Sequence, residues 1–144
     1  MKDVVADRPL DVLARAKAVA DLDHKVRSKV VEVFKRAKNL SVDADEKEVI
    51  NPSSFNTSPN EREVEEMVYT ALVRLKRVVL DCQVRVEYTW ALSEISELAP
   101  ILETFFKEVF VMSEDLPLRA NRLRILRDIH RTCLKVADFS LLQC

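Results

Sequence analysis

The longest helical pattern in the chain spans residues 59–82, PNEREVEEMVYTALVRLKRVVLDC. Its apolar residues return every three or four positions, and this repeat places them on one face of an α-helix. They are Val64, Met67, Val68, Ala71, Leu72, Leu75, Val78 and Val79. The preceding stretch Ser58-Pro59-Asn60-Glu61 has the form of a capping box with proline at the first helical position. We therefore predict a long helix whose apolar face, Met67 included, fills a core.

Helical patterns of the same kind lie on both sides of this segment. They run from Pro9 to about Leu22, from His24 to Leu40, from about Val86 to Leu98, from Ile101 to Val111 and from Pro117 to about Ala137. The first is predicted to have an apolar face made of Leu10, Leu13, Ala14, Ala18 and Leu22, and the second one made of Val26, Val30, Val33, Phe34 and Ala37. Pro100 is expected to separate two of them, because proline inside a helix removes a backbone hydrogen bond. Residues 41–59 are rich in loop formers and form the one long connection. The sequence predicts an all-α fold, a bundle of five or six helices in one domain, 1–144.

Composition excludes several classes of function. The 144 residues include no glycine, which rules out the glycine-rich loops that hold nucleotide phosphates. Cys82, Cys133 and Cys144 show no paired spacing and are interpreted as reduced thiols, two of them in the core, in a cytoplasmic protein. His24 and His130 are far apart, so no metal site is expected. No signal peptide, membrane span or catalytic motif is recognisable, and we expect no catalytic residue and no cofactor in this chain.

The last helix carries a basic stripe beside its apolar face. Between Leu118 and Val136 there are six basic residues and one acidic residue, a local balance of +5 in a chain of net charge −1. At 100° per residue, Arg124, Arg127, Arg131 and Lys135 share one side of the helix. Such a stripe is either a solvated face paired with acidic helices or a surface that contacts nucleic acid.

Arg122 falls inside the apolar sector of the same helix, near Arg119 and Asn121. An arginine in that position needs a partner, because burying an unpaired charge is costly. The internal candidates are Glu114 and Asp115, of which Asp115 also suits the N-cap of the helix. The external candidate is a nucleotide, and the sequence leaves both open.

The C-terminal third resembles a known family. The tract FFKEVFVMSED at 105–115 is followed by LRANRL at 118–123 and VADFS at 136–140. These segments strongly resemble the C-terminal end of the beta subunit of bacterial-type glycyl-tRNA synthetase, the helical anticodon-binding domain called DALR. FKRAKNL at 34–40 and VINPSSF at 49–55 agree more weakly, and the similarity runs from about residue 10 to 142. The family's Asp-Ala-Leu-Arg is Leu116-Pro117-Leu118-Arg119 here.

This resemblance implies that the chain is an excised C-terminal fragment of a synthetase that attaches glycine to tRNA with ATP and magnesium. The catalytic alpha part would lie outside the chain, and its partners would be the tRNA for glycine and the rest of the enzyme. The anticodon of that tRNA carries cytosines at its second and third positions, which Asn121 and Arg122 are predicted to read. The candidate tRNA-binding residues are Arg119, Asn121, Arg122, Arg124, Arg127, Arg131, Lys35 and Arg36. The alternative is a helical protein-interaction or assembly module whose basic stripe docks an acidic partner helix.

Overall fold

The computed structural model describes residues 9–56 and 58–142, and within them it contains α-helices and short 3₁₀ turns. The helices are α1 (Pro9–Ala20), α2 (His24–Leu40), α3 (Pro59–Arg85), α4 (Thr89–Glu108) and α5 (Leu116–Leu134). The 3₁₀ turns cover Pro52–Ser54 and Phe139–Leu141. The predicted all-α bundle is confirmed, with five α-helices in the described part of the chain.

Four of the helices enclose the core. α2 and α3 each pack on both α4 and α5, so α2 and α3 occupy opposite corners of the bundle, and α1 lies beside α4. The apolar stripes predicted for α2 and α3 supply much of the interior, with Phe34 and Leu72 fully buried. Burial of these stripes stabilises the bundle more than helix propensity does, because isolated helices of this length are marginal in water.

Helix α4 runs without a break through Pro100, so the predicted boundary at this residue is wrong. Proline has no N–H to donate to the carbonyl of Ser96, four residues earlier, which costs the helix one hydrogen bond. The apolar residues on both sides of it, Leu98 and Leu102, are nevertheless buried in the same core. Pro100 itself lies on the exposed face, where its ring meets solvent. Packing of both halves against α2 and α3 therefore outweighs the lost bond.

The start of α3 departs from the prediction in two details. Ser58 is the N-cap residue as expected, but its side chain makes no capping hydrogen bond. Glu61, the other member of the predicted capping box, instead accepts a hydrogen bond from Nδ2 of Asn56 at 2.6 Å. Met67 is 38% exposed and does not fill the core. The helix ends at Arg85, and its C-cap residue Val86 takes the left-handed backbone conformation with φ 56°.

Helix α1 is attached through a polar group. Leu10 and Leu13, predicted on the apolar face, are 76% and 64% exposed, whereas Asp11 is buried. The Asp11 carboxylate pairs with Nε of Arg15 at 2.9 Å and accepts a hydrogen bond from the Tyr88 hydroxyl. Burial and this hydrogen bond raise the pKa of Tyr88. The apolar period alone therefore misassigned the inner face of this helix.

The two cysteines that the structure describes lie in the core. Cys82 and Cys133 are buried free thiols, as predicted, and Cys144 lies outside the described residues. Burial raises the pKa of Cys133 to about 12, which keeps the thiol protonated at neutral pH.

No described helix is long and apolar enough to cross a membrane. The residues 9–56 and 58–142 also bring no three histidine, cysteine or acidic side chains together as a metal site.

Candidate nucleic-acid interface

Arg122 is an internal residue, 2% exposed, at the junction of α3, α5 and the α4–α5 connection. Its Nε and Nη2 both lie 2.7 Å from Oε1 of Glu65, and its Nη1 donates to the carbonyl oxygen of Phe110 at 2.6 Å. The expected internal partners, Glu114 and Asp115, are wrong, because the carboxylate comes from α3, which lies beside α5 in the bundle. Asp115 is the N-cap of α5, as predicted. The guanidinium group thus joins two helices and a loop.

Asn121 is engaged in the same way by the chain itself. Its Oδ1 accepts the Asn51 N–H at 2.8 Å, and its Nδ2 donates to the Asn51 carbonyl at 2.7 Å. The side chain is 2% exposed. This reciprocal pair fixes the middle of the α2–α3 connection to the N-terminal part of α5, just before the 3₁₀ turn Pro52–Ser54. Both side chains predicted to read bases are therefore occupied by contacts within the chain.

The arginine stripe of α5 lies beneath a loop that we call the acidic loop, residues 43–48. Two arginines converge on its Asp45: Arg124 Nε is 2.8 Å from Oδ2, and Arg127 Nη1 is 3.2 Å from Oδ1. Arg131 Nη1 donates to the Glu46 carbonyl at 3.1 Å. Burial tends to raise the pKa of Asp45, but the Arg124 hydrogen bond and the neighbouring positive charges lower it overall. The stripe predicted from the sequence is real, and the chain itself covers part of it.

Exposed cations collect where the ends of α2 and α5 meet. The ring of His130 contacts Phe34 at a centroid distance of 5.0 Å, which brings the two helices together. Burial and the positive charges of Lys38 and Arg131 lower the pKa of His130, against the opposing effect of Asp138. Lys35 precedes Lys38 by three residues on α2, and Lys135 follows Arg131 by four on α5; residues so spaced neighbour each other on a helix. We call Lys35, Lys38, Arg131 and Lys135 the basic surface.

The remaining candidates lie apart from this surface or are partly held. Arg36 stacks its guanidinium 4.6 Å from the ring centroid of Phe106 and approaches Glu32 at 3.8 Å. Arg119 is half-buried in the first turn of α5. Sequence reasoning missed Lys38 as a member of the basic surface. No local signal marks it, because its proximity to Arg131 arises from the packing of α2 on α5.

Comparison with known proteins assigns the fold to a family. The model of the DALR anticodon binding domain matches residues 30–141. The glycine–tRNA ligase beta subunits of Acidobacterium capsulatum and Myxococcus xanthus are 31% and 35% identical to the chain over 136 and 140 residues, 91% and 92% of its length. That of Enterobacter sp. (strain 638) is 34% identical over 140 residues. The matched part is 19% of each of these relatives, so the chain spans about a fifth of their length. The chain belongs to the family of DALR anticodon binding domains.

Proposed function

We propose that this chain binds the anticodon stem-loop of the tRNA for glycine, as the anticodon-binding domain of a cytoplasmic glycyl-tRNA synthetase beta chain. The observation that carries the proposal is the match to beta subunits of glycine–tRNA ligase along about nine-tenths of the chain. In the whole enzyme, the partners are that tRNA and the remainder of the synthetase. Glycine, ATP and magnesium chemistry belong to the alpha catalytic part.

The basic surface is the region best suited to receive the phosphates of the stem-loop. Its four cations are exposed on two adjacent helices, so they can approach neighbouring phosphates along one RNA strand without unfolding the domain. Asp138, which caps the 3₁₀ turn Phe139–Leu141 and acts to raise the pKa of His130, is an acidic neighbour that opposes them. Because the chain as a whole is close to neutral, attraction to RNA has to come from a local patch of this kind.

Asn121 and Arg122 are assigned a positioning role in this proposal. Asn121 holds the backbone at Asn51, and Arg122 holds the carbonyl of Phe110. The two segments they fix flank the first turn of α5. Arg119 in that turn remains the candidate for direct contact with the loop nucleotides, whose base edges are open because they are unpaired.

Binding is tested with fluorescence anisotropy of the glycine anticodon stem-loop at several salt concentrations. A second hairpin with the two cytosines replaced, and a third of unrelated sequence, measure specificity. The Lys38→Ala/Arg131→Ala variant should bind more weakly and flatten the plot of log affinity against log salt by about 1.4–1.8, the value for two phosphate contacts. The Arg77→Ala/Arg85→Ala variant is the matched control, since it removes the same charge from exposed positions of α3, opposite α2.

Two results would contradict the proposal. Equal affinity for all three hairpins would mean that the domain does not select an anticodon. A salt slope that is the same in both double variants would mean that the basic surface is not where RNA binds.

A further inference from the structure

We propose that Arg124 and Arg127 form a phosphate site which the acidic loop occupies in the free protein and which bound RNA takes over by displacing Asp45. This inference rests on the proposed function, because the competing ligand is the phosphate backbone of the tRNA. The proposed function does not require this competition, in which the carboxylate of Asp45 occupies the position that an RNA phosphate takes in the complex.

The geometry of the covered site suits a phosphate. Two guanidinium groups from consecutive turns of α5 point at the two oxygens of a single carboxylate, at 2.8 and 3.2 Å. Arginine binds carboxylates and phosphates through the same donor arrangement, so an anion that fits one can be replaced by the other. The two side chains are 19% and 9% exposed, and the acidic loop is the element that covers them. Arg131, in the next turn, extends the row to the basic surface.

The acidic loop is attached in a way that permits its release. Its neighbours Val42 and Val49 are largely exposed, so the segment between them adds little apolar burial to the core. Its connections to α5 are ion pairs and hydrogen bonds in which the Asp45 side chain is 37% exposed, so solvent and salt reach them and screen them in part. Both ends are fixed independently, by the end of α2 and by the Asn51–Asn121 pair. The loop can therefore lift from α5 while the bundle stays folded.

Release of the loop would change the charge of the surface in two ways. It would uncover Arg124 and Arg127, of which Arg127 keeps its ion pair with Asp128 at 2.9 Å. It would also move away four carboxylates, those of Asp43, Asp45, Glu46 and Glu48, together with one cation, Lys47. The apparent affinity for RNA would then equal the intrinsic affinity multiplied by the fraction of molecules in which the site is open. A variant that cannot hold the loop closed should bind RNA more tightly than the natural chain does.

Asp45→Asn tests this competition, and Asp43→Asn is its matched control. Both variants remove one negative charge from the acidic loop, but Asp43 is exposed and makes no contact with Arg124 or Arg127 in the part of the chain described. Relative to the control, Asp45→Asn should bind the glycine stem-loop about three- to tenfold more tightly at low salt, a range typical of losing surface ion pairs. Adding Arg124→Gln should abolish this advantage and should leave the effect of Asp43→Asn unchanged. Thermal melting checks that all variants are folded.

Hydrogen exchange supplies a readout that affinity alone does not give. The Glu48 N–H donates to Oδ1 of Asp45 at 2.9 Å, and the Ser53 N–H donates to Oδ1 of Asn51 at 3.1 Å. The Glu48 bond lies within the acidic loop, and Arg124 and Arg127 hold the carboxylate that accepts it. Displacement of Asp45 by RNA removes these two partners, so exchange of the Glu48 amide should become faster in the natural chain. The Ser53 amide, beyond the fixed end of the loop, should exchange at its original rate.

The outcomes separate this inference from the proposed function. If the natural chain binds the cognate hairpin but Asp45→Asn and Asp43→Asn bind it equally, or Asp45→Asn binds it less well, the competition is refuted and the function stands. Protection of the Glu48 amide that persists at saturating RNA refutes it as well. If no variant binds the hairpin, both the function and the inference fail.

Discussion

Replacing Arg122 by methionine tests whether the ion pair in the interior holds the domain together. Methionine matches the length of the arginine stem but carries no charge, so Glu65 would remain buried with its main partner removed. The carbonyl of Phe110 would also lose a donor that now lies 2.6 Å away. Removing one member of a buried pair typically costs about 3–5 kcal/mol, mostly because the other charge is left uncompensated.

The expected change in melting temperature follows from the size of the chain. Unfolding entropy of about 2.1 cal/mol/K per residue gives about 0.3 kcal/mol/K for 144 residues. A loss of 3–5 kcal/mol should therefore lower the melting temperature by about 10–17 °C. The measurement is thermal unfolding followed by circular dichroism at 222 nm, a wavelength suited to an all-α protein.

An exposed pair of similar geometry provides the control. Arg62 and Glu66 on α3 lie 2.9 Å apart, but both side chains are about half exposed. Arg62→Met should cost less than about 1 kcal/mol. The double variant Glu65→Gln/Arg122→Met should melt above Arg122→Met, because it no longer buries a lone charge. If Arg122→Met melts within about 3 °C of the natural chain, less than the shift for about 1 kcal/mol, the pair does not hold α3 and α5 together.

Two further predictions concern the backbone at Val86 and the ring of His130. Val86→Gly should raise stability by about 1 kcal/mol, because Val86 has φ 56°, a conformation that a β-branched residue adopts at a cost. Its control Val84→Gly, in the helical last turn of α3, should lower stability by about 1 kcal/mol. A melting temperature that falls in both variants contradicts the argument. Burial and the charges of Lys38 and Arg131 lower the pKa of His130 in the folded chain. The unfolded chain therefore takes up this proton at a higher pH than the folded chain does. The neutral ring contributes its full stabilisation above pH ~6.5, and this stabilisation is lost as the pH falls through the lower pKa of the folded chain. Between pH 7 and 5.5, urea unfolding should show a smaller loss of stability in His130→Gln than in the natural chain. His24→Gln, at an exposed position, should behave like the natural chain. Equal losses in all three proteins would assign the pH dependence to other groups.

The fold class was readable from the sequence because helical periodicity is a local property. The apolar stripes of α2 and α3 repeat over several turns, and each turn indicates the same buried face of the helix. Pro100 was misread for the same reason, since a local rule about proline takes no account of the core on either side of it. Met67, Leu10 and Leu13 show the converse error: apolar residues with the correct spacing stay exposed where no neighbouring helix covers them.

The candidate site was only partly readable, because its contacts join residues far apart in the chain. The angular position of Arg122 indicated that it needed a partner, but the partner is 57 residues away. The arginine stripe of α5 was visible in the sequence, whereas its covering loop has no periodicity that would place it on any helix. Asp45 and Arg127 are 82 residues apart, and no pattern of spacing predicts their contact.

The attachment of α1 through Asp11 has a consequence for how the domain opens. Ala18 and Asp11 are the buried residues of this helix, so its docking depends on little apolar area and on a carboxylate that must keep both Arg15 and Tyr88. Segments with few buried apolar contacts open at a free energy well below that of global unfolding. Amide hydrogens of α1 should therefore exchange through a partial opening in which the other four helices stay folded.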